Sequence, residues 1–335
     1  MTAYEAISHL VGMQAQAPNP PYVGLWTRLR DFGHADLSEL MLSRAVVRIG
    51  VMRGTIHLVT DEDCLRLRPL VQPVLDRWFA TSYARRLPGM DHAELAAAAR
   101  ALVEEKPRTF AELGALLSEA WPDADADALA QAGRAMLPLV QVPPRGLWGR
   151  SGQAAHTTAE QWLGRPLGTP DPAEAVTRYL AAYGPATVKD IQTWCGLTGL
   201  KEVVRKLDVV VFQGEDGAVL YDLPDAPRPG EGVAAPVRFL PEFDNILLSY
   251  ADRTRVMSQE CRTRVFTVNG IIRATILVDG EVRGMWKIAS KRGTATLSIE
   301  PFSPLSGSEQ ELLAAEGARL LEFVASGTVH DVIFE

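Results

Sequence analysis

The 335-residue sequence predicts an α+β protein in which repeated helical units, each closed by a short hairpin, precede a strand-rich C-terminal region. Three observations predict it. A rhythm of three helices and a hairpin recurs three times before residue 225, the mark of an array rather than of one compact enzyme domain. A Pro- and Gly-rich linker, Pro224 to Pro236, then breaks that rhythm. Beyond it, apolar and polar residues alternate, and Asp279-Gly280 between two such runs is a strong hairpin signal.

The first unit, residues 1–90, has helices near 3–12, 22–31 and 36–43, then strands near 46–52 and 55–59 turning tightly at Arg53-Gly54. The second unit, 91–168, has helices at 92–105, 109–117 and 125–136, and Thr109 with Glu112 forms a capping-box pattern. Its hairpin is predicted from strands 139–142 and 147–149, joined through Pro143-Pro144-Arg145-Gly146. The third unit, 169–225, is the clearest. A helix from Asp171 to Tyr183 ends at Gly184-Pro185. Thr187 caps the next, whose core side is Val188, Ile191 and Trp194 and which ends at Cys195-Gly196. A short helix over 200–207 leads to strands 209–212 and 218–221 across Gly214-Glu215-Asp216-Gly217. Helix-turn-helix plus hairpin is the winged-helix arrangement. The last block, 236–335, predicts strands near 237–241, 263–268, 271–278, 281–288 and 293–299, read as a small β-barrel or curled sheet. A helix over 308–326 and a strand over 332–334 close the chain.

Composition is that of a globular protein, with 47% hydrophobic and 22% charged residues. No apolar run is long enough to span a membrane, and the first residues lack the pattern of a secretory signal. Cys64, Cys195 and Cys261 match no metal spacing, so a reduced cytoplasmic protein without metal or cofactor is expected. The net charge of −7 argues against nucleic acid, but the charge is segregated. Residues 44–86 carry a local net of +4 and 251–292 a local net of +5, against −6 over 91–132. All eight basic residues of the first stretch and seven of nine in the second are Arg, whose fork suits phosphate. A solvated, scattered surface is the alternative.

Three motifs carry the candidate chemistry. Gly12-Met13-Gln14-Ala15-Gln16-Ala17-Pro18 places two glutamines one residue apart, and a buried amide without a partner costs about 1–3 kcal/mol. Such a pair either faces water at a helix end or serves a ligand. Alternation along the first hairpin puts Arg53, Thr55 and His57 on one strand face, either an exposed edge or a cleft lining. Asp244-Asn245 and Asp252-Arg253 sit between apolar runs, where turn chemistry or a structural ion pair also accounts for them. Phosphate-binding loops, dinucleotide fingerprints, zincin helices and nucleophile elbows are absent from the sequence.

Leu10-Val-Gly-Met-Gln-Ala-Gln-Ala-Pro, Met52-Arg-Gly-Thr-Ile-His-Leu-Val and Leu240-Pro-Glu-Phe-Asp-Asn-Ile-Leu-Leu-Ser, in that order, resemble the AlkZ/YcaQ-like family of bacterial DNA glycosylases. The resemblance covers nearly the whole chain. It implies three winged-helix units and a β-barrel in a C-shaped molecule around double-stranded DNA, and excision of N7-alkylated guanine, including bulky adducts and interstrand crosslinks. The Gln-apolar-Gln pair is the signature of the AlkZ branch, the YcaQ branch having Asp in place of the second Gln. Gln14 and Gln16 therefore fall at the catalytic positions. Arg53, Thr55, His57, Asp244, Asn245, Asp252, Arg253 and Arg255 are expected to contact DNA. Family members usually carry a further helical segment before the position of Met1, so the first unit is expected to lack it. A monomer associated with the nucleoid is the corresponding expectation.

Alkylation at N7 makes guanine cationic and a good leaving group, so no strong general acid is required. Glutamine is neutral and offers both donors and acceptors. Such a pair suits the orientation of water and stabilisation of an oxocarbenium ion, on activated lesions alone. The rival reading is a non-enzymatic winged-helix regulator whose basic helix, with Lys201, Arg205 and Lys206, reads bases. A protein-interaction scaffold is a third, and it predicts DNA binding that is weak and insensitive to salt.

Overall fold

The computed structural model describes residues 1–230 and 232–335; Glu231, inside the predicted linker, lies outside the described residues. Contacts divide the chain into two compact units. One comprises Met1–Asn19 with His34–Pro224, the other Pro20–Gly33 with Asp225–Glu335.

In the first unit, Thr2 and Glu5 form a capping box that starts helix α1 (Ala3–His9). Val11 and Gly12, with φ of +52° and +91°, then reverse the chain into strand β1 (Met13–Gln14). A Cβ on Gly12 would lie 2.7 Å from Val59 Cγ1, so backbone and space both require glycine there. Helix α2 (Pro20–Trp26) belongs to the second unit. Helix α3 (His34–Leu42) leads into the hairpin β2 (Val46–Gly50) and β3 (Ile56–Thr60). The turn between them is centred on the predicted Arg53-Gly54 but is wider than predicted, running through the single helical turn Met52–Gly54, with Arg53 at φ +58° and Gly54 at φ +72°. Two such residues match the right-handed strand twist. The strands stop short of it, so Arg53 and Thr55 stand on the turn and not on a strand face.

Helices α4 (Asp61–Leu70) and α5 (Gln72–Ser82) follow. Next come α6 (His92–Glu105), α7 (Phe110–Ala120) and α8 (Ala126–Met136), which close on Leu95, Ala99, Val103, Leu113, Leu117 and Leu129. Strand β4 (Leu139–Gln141) pairs with β5 (His156–Thr158), which runs into α9 (Ala159–Leu163), and not with the predicted strand at 147–149. Pro143 and Pro144 have no N–H to give a ladder, and the chain instead turns through Leu147 to Arg150. One antiparallel sheet of order β1-β3-β2-β4-β5 results, so the first predicted hairpin and strand β4 of the second predicted unit share it. Helices α10 (Pro172–Tyr183), α11 (Val188–Cys195) and α12 (Lys201–Arg205) and hairpin β6 (Val210–Gln213)–β7 (Val219–Asp222) stand where the sequence places them.

The second unit contains β8 (Arg238–Leu240), α13 (Asn245–Leu248), α14 (Gln259–Val265), β9 (Thr275–Val278), β10 (Glu281–Lys291), β11 (Thr294–Pro301), α15 (Gly307–Ala325) and β12 (Val329–Phe334). Its strands form a sheet of order β12-β11-β10-β9-β8, parallel only between β11 and β12. Strands β8 and β12 are its edges, so no closed barrel is found among the described residues, and of the two expected forms, barrel or curled sheet, the open sheet is the one observed. Leu313, Leu320 and Leu321 of α15 and Val23 of α2 bury its face around Phe239, Ile276 and Leu297. The first half of the predicted strand at 263–268 is instead the end of helix α14, which Ser258 caps by accepting from the Cys261 N–H. Asp279 and Gly280, at φ +51° and +79°, make the predicted β9–β10 turn.

Candidate active site

The backbone around Gln14 is fixed by its cross-strand register. Gln14 pairs with His57 and Met13 with Leu58, so Gln14 and His57 share one sheet face while Met13 and Leu58 share the other. Gln14 is buried and Gln16, beyond the strand end, is exposed. Arg53 converges on the same place from the turn. Its Nη2 donates to Gln14 Oε1 at 2.8 Å and lies 3.5 Å from His57 Nε2, and its Nη1 donates to the Trp194 carbonyl. That carbonyl lies in the last turn of α11, where helical acceptors lack intrahelical partners. Gln16 Oε1 accepts from the Ile56 N–H at 3.1 Å. Each glutamine is therefore oriented by a donor at its amide oxygen.

His57 Nδ1 lies 3.0 Å from the Thr55 carbonyl and donates to it, leaving Nε2 as the acceptor facing Arg53. Burial first, and then the Arg53 charge, push its pKa down to about 3. The imidazole is thus neutral at working pH. The Thr55 hydroxyl donates to the Met52 carbonyl at 3.0 Å and braces the turn. Of the sequence-predicted residues, Gln14, Gln16, Arg53 and His57 come together here, and Thr55 joins through its carbonyl.

The second unit holds the other predicted residues. Asp244 is buried and takes both Arg28 Nη atoms, at 2.7 and 2.8 Å, while its Oδ1 caps α13 through the Ile246 N–H. The Asn245 carbonyl accepts from the Ser249 hydroxyl at 2.7 Å. Asp252 Oδ1 accepts from the Thr254 N–H, a turn bond, and Arg253 Nε donates to the Leu247 carbonyl at 2.6 Å. Arg255 is exposed, its guanidinium 4.3 Å from the Tyr250 ring centroid.

The basic stretch 44–86 is occupied inside the protein more than the sequence suggests. Arg44, Arg48, Arg53, Arg68 and Arg77 all donate to backbone carbonyls, Arg66 pairs with Glu174 and Arg86 with Asp125 and Asp127. Sequence reasoning missed Arg48. It is 2% exposed, and its Nη2 donates to the Ala15 carbonyl at 2.7 Å. A charged residue at one inward position of an otherwise apolar strand, Val46-Val47-Arg48-Ile49, was the available signal. No group of three or more His, Cys, Asp or Glu side chains able to hold a metal occurs among the described residues. No described helix is long and apolar enough to cross a membrane.

A family model described as DNA glycosylase AlkZ-like matches residues 7–323. The chain belongs to the AlkZ-like DNA glycosylase family. A relative of this AlkZ-like chain, the Interstrand DNA cross-link repair glycosylase of Streptomyces sahachiroi, is 31% identical over 150 residues, 40% of this chain. That match spans 38% of the relative's own length. The solved structure of Streptomyces sahachiroi DNA glycosylase AlkZ matches 100% of this chain and 94% of its own with a TM-score of 0.81. At 19% identity this second likeness establishes that the AlkZ-like chain has the AlkZ fold.

Proposed function

We propose that this AlkZ-like chain is a monofunctional DNA glycosylase that hydrolyses the N-glycosidic bond of N7-alkylated guanine in duplex DNA. Its range extends to bulky adducts and interstrand crosslinks. The carrying observation is the Gln14–Arg53–His57 group, an oriented amide beside a neutral imidazole, in a chain of this family.

In the proposed reaction the C1′–N9 bond breaks and its electron pair neutralises the cationic base, which leaves as 7-alkylguanine. Water forms the new C1′–O bond and releases its proton to solvent. Gln14 and Gln16 orient that water through their amides, and their amide oxygens stabilise the developing oxocarbenium ion. An amide is too weak a base to take the proton early, which limits the reaction to lesions that already carry the positive charge. Winged-helix units carry the duplex in this reading, with Arg255 among the phosphate contacts.

The test is release of N7-methylguanine from methylated duplex by the wild type, Gln14→Ala and Gln16→Ala. Removing a group that orients the attacking water is expected to lower the rate by about 10²-fold. Equal release by all three proteins, or none by the wild type on methylated, bulky and crosslinked substrates, overturns the proposal. A regulator instead predicts a preferred sequence and no released base.

A further inference from the structure

Arg48 approaches the glutamine motif from the face opposite Arg53. It pairs with Leu58 across β2–β3, whereas its neighbour Ile49 pairs with His57, so Arg48 lies behind the sheet. Its side chain reaches past β3 to the Ala15 carbonyl, the one between Gln14 and Gln16, at 2.7 Å. Its Nε donates to Gln141 Oε1 of β4 at 3.1 Å. The slot is shaped around the extended side chain. At Gly146, with φ +99°, a Cβ would lie 2.7 Å from Arg48 Cδ and 2.6 Å from Met41 Cε.

A guanidinium stays charged at any working pH, and burying one is costly unless its donors are matched. Well-packed apolar replacements of buried charges are often neutral or stabilising, so packing alone is a poor account of this residue. What the side chain does hold is the peptide joining the two glutamines. The Ala15 N–H donates to the Ile56 carbonyl at 2.8 Å, the Ile56 N–H donates to Gln16 Oε1, and Arg48 donates to the Ala15 carbonyl.

We infer that Arg48 is a positioning residue: it sets the plane of the Ala15–Gln16 peptide and hence the direction in which the Gln16 amide leaves the sheet. The inference rests on the glycosylase reading for its catalytic consequence, but not for its geometric one. Lysine supplies a single point donor and cannot serve both acceptors as the planar fork does, and methionine keeps the stem without a donor.

The experiment compares Arg48→Lys and Arg48→Met with the wild type in four measurements. These are single-turnover release of N7-methylguanine, Kd for the duplex, Tm, and side-chain amide NMR of glutamine-labelled protein. We expect Arg48→Met to lose at least about tenfold in rate with duplex Kd within about twofold, since a small misplacement of a reacting group is enough. Arg48→Lys recovers part of the loss, and the Gln16 amide resonances shift in both. If Arg48→Met does not fold, Arg48→Lys alone carries the comparison. Unchanged Gln16 resonances in a folded variant overturn the inference. So does a loss of rate that tracks Tm with no rescue by lysine. Shifted resonances in a protein whose wild type releases no base uphold the positioning and overturn the glycosylase reading.

Discussion

A guanidinium has donors and no acceptor, so the atom of Gln14 that meets Arg53 is its amide oxygen, and the orientation of the whole amide follows. Arg53 holds this place from a left-handed backbone, at φ +58°, that costs an L residue about 1–2 kcal/mol and that glycine adopts freely. Arg53→Gly therefore separates backbone from side chain. It relieves the turn while releasing Gln14 and the Trp194 carbonyl, and we expect base release to fall about tenfold or more. A rate within twofold of wild type shows that the Gln14 amide orients itself. The buried histidines predict an acid limit. His57 and His156 have pKa values lowered to about 3 and about 4, chiefly by burial, against an ordinary 6.5. The unfolded chain therefore binds these protons first. Stability is whole above pH 6.5 and declines as pH falls toward 4 and 3, by at most about 1.4 kcal/mol per pH unit per histidine. Urea titrations of wild type and His57→Gln across pH 4–7 check this; equal slopes count against it.

Among the elements, the turn that reverses α1 into β1 tolerates little change. Gly12→Ala must accept both a positive φ and a contact 2.7 Å from Val59, and we expect a loss of about 2 kcal/mol, read as a lower Tm. An unchanged Tm means that β3 yields there. Where residues determine local structure by their own chemistry, the sequence was readable at this scale. Gly196 ends α11 at φ +80°, Thr187 caps it, and Arg53-Gly54 and Asp279-Gly280 turn their hairpins as read. Where the outcome depends on a distant partner, it was not. The strand that completes β4 lies 15 residues beyond it, across a loop rich in Gly and Pro, and no local signal selects His156–Thr158 over 147–149. Phe266 and Val265 have strand character, but the Ser258 cap upstream carries the helix through Val265. The glutamine pair was read from the motifs that accompany it rather than from its spacing alone. Arg48 showed only as a charge in an apolar strand, since its partner carbonyl belongs to a residue 33 positions away.

For the molecule as a whole, charge read from sequence overstated what is offered to phosphate. Arg253 donates to the Leu247 carbonyl, whereas Arg255 is exposed against Tyr250. We expect Arg255→Ala to lower the salt slope of duplex binding by about 0.9, the value for one phosphate contact, and Arg253→Ala to lower Tm with the slope unchanged. The reverse pattern exchanges their roles. The second unit is also discontinuous in sequence. Residues 20–33 precede most of the first unit, yet α2 buries Val23 with Phe239 and Leu297, and Arg28 clasps Asp244. A fragment of residues 225–335 should therefore fail to give a cooperative melt, whereas cleavage within 225–236 of the intact chain leaves residues 20–33 bound to that unit. A cooperative melt of the fragment alone refutes this.

That discontinuity has a consequence for synthesis. Gln16 lies four residues before Pro20, where the chain passes into the second unit. The ribosome delivers Gln14, Arg48, Arg53, His57 and Trp194 before it delivers β8 and α15, on which α2 packs. Through that interval the segment just downstream of the glutamines has no sheet to rest on, and Val23 and Trp26 meet water or a chaperone. The motif is the first part of the site to be made, and the anchoring of the chain beyond it is among the last steps to finish.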